Sequence, residues 1–526
     1  DSLGYLKKLG INAIELMPVA EFSGNDSWGY NPIFYTAPDK AYGTKNDLKY
    51  LIDKCHENGI AVILDMVLNQ ADLENPYVKM YWDGTKPTAT SPFFNVTATH
   101  PYSVFFDFNH ESPHTQWLVD AVCQYWLTEY KMDGFRFDLS KGFTQVNNPT
   151  NVGAWGNYDA SRVKIWKHIY DRIKANHPDA YVILEHLSVN EEEKELANYG
   201  MLFWGNMNGA SRNLAKGNND NMEWAYFKNR QWTKNGLIAY QESHDEERVF
   251  WETVNFGATS PLNLKSVDNA VNRHQLMTAF FLAIPGPKMI WQFGEFGYDL
   301  ELNNDRLGVK PTRWEYLSNS DRLRLVQLYK EMFKLRAKYP VFNFPSNASL
   351  NLGSAQKTIH LQHPDLQVFL FGNFDLVTQG NQSITFPKTG KWYNYFTGKE
   401  LNVTSAQVSF GLRPNEFYLF TDKPLPLPEK DILQADFITS IPEEVDEEGF
   451  VIYPNPTTSN VLVELPKEMT GAQYRVLDVT GRVIFEGKGS SALPILELEL
   501  GGIQPGMYIF EAFDAKRVIH KRFIKK

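Results

Sequence analysis

Cysteine is nearly absent from this chain. Cys55 and Cys123 are the two in 526 residues, and they lie in helix-like stretches, KYLIDKCHENG and WLVDAVCQYWL, without a neighbour suited to metal or redox chemistry. Both read as buried thiols. The scarcity leaves the compartment open, because a secreted protein can lack disulfides. Positive charge is also short: 52 Lys and Arg stand against 62 Asp and Glu, a net charge of −10, which argues against a nucleic-acid partner, since such a partner wants a basic face. No apolar run approaches the length needed to span a bilayer. The chain has neither an initial methionine nor a signal peptide, and opens at Asp1 directly into an amphipathic pattern of Leu3, Leu6 and Leu9.

What is present is a long, aromatic-rich globular sequence, 43% hydrophobic and 14% aromatic, too long for one ordinary domain. Four stretches end a run of strand-forming residues on a carboxylate: Asp65 in AVILDMVLN, Asp138 in DGFRFD, Glu185 in YVILE and Asp245 in YQESHD. Strands that finish on acids in their loops are how a barrel presents chemistry at one face. In DGFRFD the alternation of a strand puts Arg136 and Asp138 on one face and Phe135 and Phe137 on the other. The arginine would hold the carboxylate ionised and oriented, as a nucleophile requires; a structural ion pair fits the hexapeptide equally well. Ile183 and Leu184 read as a strand buried on both faces. Glu185 follows without an adjacent cation, so it is either an exposed residue or a carboxylic acid with raised pKa, suited to donate a proton. His244 and Asp245 sit in the polar cluster ESHDEER, which closes the apolar run from Gly236 to Tyr240.

In order and wording these segments resemble the α-amylase family of glycoside hydrolases and transglycosidases. GINAIELMPV resembles the family's second barrel strand, and WGYNP with YGTKNDLKYLIDKCHENGIAVILDMVLN the passage into its third. FFDFN (105–109) resembles a piece of its inserted loop domain. DGFRFD resembles the fourth strand, VILEH the fifth, ESHDEER the seventh and PGPKMIWQFGE (285–295) the eighth. The resemblance implies an α/β fold, a (β/α)8 TIM barrel, and covers roughly the first two thirds of the chain. It implies Asp138 as nucleophile, Glu185 as general acid/base and Asp245 as the third carboxylate, with His244 bonding substrate beside it. Arg136 would position the nucleophile, Tyr30 would stack on the sugar at the cleavage site, and Asp65 and Asn69 would be the structural pair of the third strand. One position departs from the pattern: Gln70 stands where the family has a histidine that donates to a sugar hydroxyl. An amide can still donate but cannot carry a charge. No cofactor is expected for the chemistry; a structural calcium between insert and barrel is expected from the family, with Asn69 as one ligand.

The resemblance also orders the domains. A catalytic barrel covers 1–340, its first strand expected to be missing from a fragment that begins inside the barrel, with a domain B-like insert at 70–113 that lacks a helical period and forms one wall of the cleft. Two all-β sandwich domains follow. KTIHLQH, LQVFLFGNF, QSITFP, GKWYNYF and NEFYLFT read as strands of domain C, 341–423. The stretch 424–448 is a linker, opened by the proline-rich DKPLPLPEKD and closed by the acidic PEEVDEEG at 442–449. The unit 449–526 reads from its residues alone as a small β-sandwich. Its Tyr453-Pro454-Asn455-Pro456, Thr480-Gly481-Arg482 and Pro505-Gly506-Met507-Tyr508, with a basic end, resemble the C-terminal sorting domain of the type IX secretion system of Bacteroidetes. That implies secretion or cell-surface display after passage across the outer membrane, with the type IX machinery as a partner. The function implied is a retaining α-glucan hydrolase acting on starch, glycogen or malto-oligosaccharides. Two alternatives remain at this stage: a branching enzyme, whose wording ELMPVAEF and WGYNP also resemble, and a non-catalytic glucan-binding protein on the same scaffold.

Overall fold

A computed structural model describes residues 2–302, 305–377, 381–429, 432–433, 451–465, 469, 471–478, 482–489, 495–513 and 518–526. The acidic stretch 442–449, most of the expected linker and the Thr480-Gly481 turn lie outside these residues.

Helix α1 (Ser2–Leu9) buries Leu9 and leads into β1 (Ala13–Leu16). A hairpin of β2 (Ala20–Phe22) and β3 (Pro32–Pro38) follows. Then comes α2 (Lys45–Glu57), opened by a capping box in which Thr44 and Asp47 satisfy each other's backbone amides. The β-branched run of β4 (Ala61–Met66) is buried nearly throughout. After it β5 (Gln70–Ala71), the short helix α3 (Pro76–Met80) and β6 (Phe106–Asp107) build the insert, β5 pairing antiparallel with β6. Helix α4 (Pro113–Glu129) starts where Ser112 caps and Pro113 sets the first turn. Strands and helices then alternate: β7 (Gly134–Phe137), α5 (Val152–Trp155), α6 (Ala160–Asn176), β8 (Tyr181–Leu184), α7 (Asn190–Tyr199), β9 (Leu202–Asn206), α8 (Asn208–Ala215), β10 (Leu237–Tyr240), α9 (Val249–Phe256), α10 (Val267–Ala283), β11 (Lys288–Met289) and α11 (Ser320–Lys338).

Among the described residues β1, β4, β7, β8, β9, β10 and β11 form one sheet in chain order, every neighbouring pair parallel. Parallel strands joined by helices in strict succession trace the arc of a (β/α)8 barrel. Every residue of β7, in mid-sheet, is buried, whereas β1 and β11 end the sheet and keep Glu15, Leu16, Lys288 and Met289 only half-buried. Ile63, Ile183, Trp204 and Tyr240 pack together inside the arc with Leu202, Ile238 and Met289 against them. Because side chains alternate along a strand, the inward position two residues after Ile63 is Asp65 and that after Ile183 is Glu185. An apolar interior layer therefore lies directly below the layer of acids.

The strands that follow are antiparallel: β12 (Asn347–Asn351), β13 (Gln356–His363), β14 (Leu366–Asn373), β15 (Asn381–Thr385), β16 (Gly390–Asn394), β17 (Glu400–Val403), β18 (Gln407–Gly411) and β19 (Phe417–Thr421). They form a six-stranded sheet ordered β12-β13-β14-β19-β16-β17 and a pair, β15-β18, around the rings of Phe369, Phe371, Phe386, Trp392, Phe410 and Phe420. Residues 1–440 form one compact unit and 441–526 another. The second unit contains β20 (Val451–Tyr453), β21 (Asn460–Glu464), β22 (Gln473–Asp478), β23 (Val483–Lys488), β24 (Ile495–Glu499), β25 (Gly506–Phe513) and β26 (Val518–Lys525). These make a three-stranded sheet, β20-β21-β24, and a four-stranded one, β23-β22-β25-β26, closed over their own core of Val461, Val463, Val476, Phe510 and Phe523.

Candidate active site

The acids collect at the C-terminal ends of the parallel strands. Asp65 lies opposite Arg136 in the β4–β7 register and Arg136 opposite Ile183 in the β7–β8 register. The chain leaves both strands with one more ladder bond each, Asp138 N to Met66 O at 3.1 Å and Glu185 N to Phe137 O at 3.1 Å, so Asp138 and Glu185 emerge side by side.

Arg136, fully buried, is the hub. One terminal nitrogen donates to Asp65 Oδ1 and Oδ2 at 2.7 and 2.8 Å and to Asp138 Oδ1 at 3.1 Å. The other stands 3.0 Å from Glu185 Oε2, which also accepts from Leu139 N at 2.8 Å. The cation that the sequence around Glu185 lacks is thus supplied across the sheet by the neighbouring strand. The guanidinium lies 4.1 Å from the ring centre of Trp204 on β9, a cation–π contact in a water-poor setting. Burial raises the pKa of Asp138, Glu185 and Asp65, with neighbouring carboxylates adding to it and Arg136 opposing.

Tyr30 is delivered by Gly29, whose φ of +94° and 2.4 Å approach of a would-be Cβ to Pro18 O leave room for no side chain. Its hydroxyl donates to Asp65 Oδ2 at 2.5 Å and lies 2.9 Å from His244 Nε2, with the two rings stacked at 5.3 Å. Burial brings the His244 pKa down to about 4, against the pull of Asp245, so the ring is neutral at pH 7 and can donate from Nε2. Asp245 differs from the other acids. Its side chain is 40% exposed, and Arg306 holds it through Oδ1 at 2.9 Å and through its backbone carbonyl at 2.8 Å. The rest of ESHDEER is scaffold: Glu242 accepts from Val249 N, Glu247 from Leu302 N, and Glu246 from Asn206, Tyr240 and Ser243.

Gln70, expected to offer its amide to a sugar hydroxyl, is bonded to backbone at both ends. Nε2 donates to Tyr30 O at 2.8 Å, and Oε1 accepts from Val104 N and Phe105 N at 3.2 and 3.3 Å. Asn69 is buried with its Oδ1 unpartnered, as is His110 Nε2. Among the described residues no group of three or more His, Cys, Asp and Glu side chains could hold a metal ion. Asp107, a buried acid of the insert, is already bonded to Asn95, Thr99 and His100. Asn69 Oδ1 is one buried oxygen of the six to eight, backbone carbonyls and waters among them, that calcium takes.

Three residues missing from the sequence reading support the site. Trp204 belongs to a strand, β9, that ends on no acid and so gave no signal. Arg306 lies in a loop far along the chain from the acid it holds. His186, visible in VILEH but given no role, bonds Ser140 at 2.8 Å and Glu192 at 2.6 Å, while Ser140 Oγ donates to Glu185 O at 2.7 Å, so the segment bearing Glu185 is fixed from behind. Three of the seven non-glycine residues with positive φ among the described residues lie past ends of the parallel strands, Leu139 at +43°, Leu187 at +51° and Phe293 at +65°, where strain is a mark of functional sites.

Residues 1–102 match the family described as alpha amylase, catalytic domain, and residues 451–526 the secretion system C-terminal sorting domain. A 1,4-alpha-glucan branching enzyme of Pseudoalteromonas atlantica is 27% identical over 364 residues, 64% of this chain and 47% of that protein. A malto-oligosyltrehalose trehalohydrolase of Saccharolobus solfataricus is 34% identical over 151 residues, 28% of this chain and 25% of that protein. The chain thus spans about half, or less, of the curated relatives it matches. In fold it is similar to the alpha-amylase of Geobacillus thermoleovorans, with a TM-score of 0.63 at 17% identity over 81% of this chain and 91% of that one. The sorting domain indicates secretion across the outer membrane. The chain thus matches, at 1–102, the α-amylase catalytic domain and, at 451–526, a secretion system C-terminal sorting domain.

Proposed function

We propose that this protein is an extracellular retaining α-glucan hydrolase acting on starch, glycogen or malto-oligosaccharides. The observation that carries the reading is the sharing of one buried guanidinium by Asp138 and Glu185. Asp138 is hydrogen-bonded to one terminal nitrogen of the guanidinium and Glu185 stands 3.0 Å from the other, an arrangement that suits the short carboxyl separation, about 5–5.5 Å, of retaining chemistry. Asp138, bonded to Arg136, attacks the anomeric carbon. Glu185 gives its proton to the departing glycosidic oxygen. The glycosyl ester on Asp138 is then hydrolysed by a water that Glu185, now ionised, deprotonates. Neutral His244 and exposed Asp245 are placed to bond sugar hydroxyls. These side chains supply nucleophile and proton between them, and no cofactor enters the scheme.

The similarity to branching enzymes supports a second reading, in which a glucan 6-hydroxyl replaces water. Export favours hydrolysis, because a polymer is degraded outside the cell and glycogen is branched inside it. Proton NMR of amylose with the protein separates the two. Growth of reducing-end anomeric signals, abolished by Asp138→Asn, is expected; new α-1,6 signals without reducing ends would establish transfer instead. Binding to amylose without turnover would leave the third reading, a glucan-binding protein.

A further inference from the structure

The insert places one residue where nothing in the reaction above uses it. Tyr102 is 65% exposed at a backbone φ of +64°, a conformation in which a bulky side chain is an outlier that calls for a reason. Its ring is backed by buried Trp155, 5.9 Å away and tilted by 54°. Trp155 is itself fixed by a stack on His100 at 5.4 Å and by Lys141 Nζ at 4.1 Å from its ring centre. Lys141 Nζ also donates to Leu187 O at 2.9 Å, two residues past Glu185. One continuous set of contacts therefore links Tyr102 to the loop that follows Glu185. The loop around it is held at both ends: His100 Nδ1 bonds Pro101 O at 2.7 Å, and the amides of Val104 and Phe105 bond Gln70, which in turn bonds Tyr30 O.

We propose that loop 101–105 is a sugar-binding platform, with Tyr102 the stacking face for a glucosyl unit on the leaving-group side, and that Gln70 is the brace that holds the platform against the Tyr30 loop. A largely exposed ring braced by Trp155 suits the apolar face of a pyranose. The inference rests on the α-glucan reading above and adds a subsite to it.

The test compares maltoheptaose, which places glucosyl units on both sides of the cleaved bond, with α-maltosyl fluoride, whose leaving group is a fluoride ion. In the full chain, Tyr102→Ala should lower the ratio of kcat/KM for maltoheptaose to that for the fluoride by about 3- to 10-fold, mostly through KM, and Tyr102→Trp should restore it. Gln70→Ala should lower the same ratio and speed hydrogen exchange at the Val104 and Phe105 amides. A ratio that stays within about twofold for Tyr102→Ala overturns the platform, as does an equal fall on both substrates. If the parent turns over neither substrate, the hydrolase reading itself falls. Amylose affinity electrophoresis then decides the platform separately: weaker retention of Tyr102→Ala supports it, and unchanged retention overturns it.

Discussion

The two sides of the cleft are built differently. Around β4, β7 and β8 the acids are largely enclosed, share Arg136 as a common partner and emerge from strands in register. Around β10 and β11 the one acid of the cluster that faces outward, Asp245, is 40% exposed and held by an equally exposed arginine from a loop. The first side has little freedom, which suits bond making and breaking, where a misplacement of an ångström is costly. The second is wet and adjustable, which suits contacts to hydroxyls that differ between substrates. Placement and electrostatics thus belong mainly to strands, and selection mainly to loops.

Removing the hub should break the contrast most severely. Arg136→Leu leaves Asp65, Asp138 and Glu185 without their shared cation, and losing one partner of a buried ion pair costs about 3–5 kcal/mol. Urea unfolding at pH 7 should report that loss together with loss of turnover. The deficit should shrink toward pH 4, because protonated carboxyls no longer need the cation; a deficit independent of pH would contradict the assignment. A smaller effect is expected at His244. Burial holds its pKa near 4 rather than 6.5, so its contribution to stability is complete above pH 6.5 and is lost as pH falls toward 4. His244→Gln should therefore flatten the decline of Tm across that window, and a parallel decline in parent and variant would show that the ring is not buried neutral. The smallest effect belongs to the wet side. Exposed pairs contribute about 0.2–1 kcal/mol, so Arg306→Ala should change KM by a few-fold and leave Tm nearly unaltered. A large loss of stability there would erase the distinction between the two sides.

The sequence made the enclosed side far more legible than the open one. Asp65, Asp138 and Glu185 each terminate an apolar strand, and alternation alone puts Arg136 beside Asp138. Trp204 was hidden because β9 ends on Asn206, not on an acid, and what the tryptophan does depends on a strand two places away in the sheet. The role of Gln70 was hidden because an amide at a strand end can face sugar or backbone equally, and only the fold of the insert brings Val104 and Phe105 to it. Arg306 could not be read because pairing between an exposed loop and Asp245 has no period. In the antiparallel region the short, polar strands β12 and β17 and the strand β18 escaped notice, since Asn347–Asn351 and Glu400–Val403 lack the aromatic alternation of their neighbours.

The central claim is that Asp138 forms the covalent bond to the sugar, and trapping that ester tests it most directly. The protein would be incubated with a 5-fluoro-α-glycosyl fluoride, digested with protease and examined by mass spectrometry. The account predicts one glycosyl adduct, on Asp138, and its disappearance in Asp138→Asn. An adduct on Glu185 or Asp245, or turnover of amylose that persists in Asp138→Asn, would contradict it.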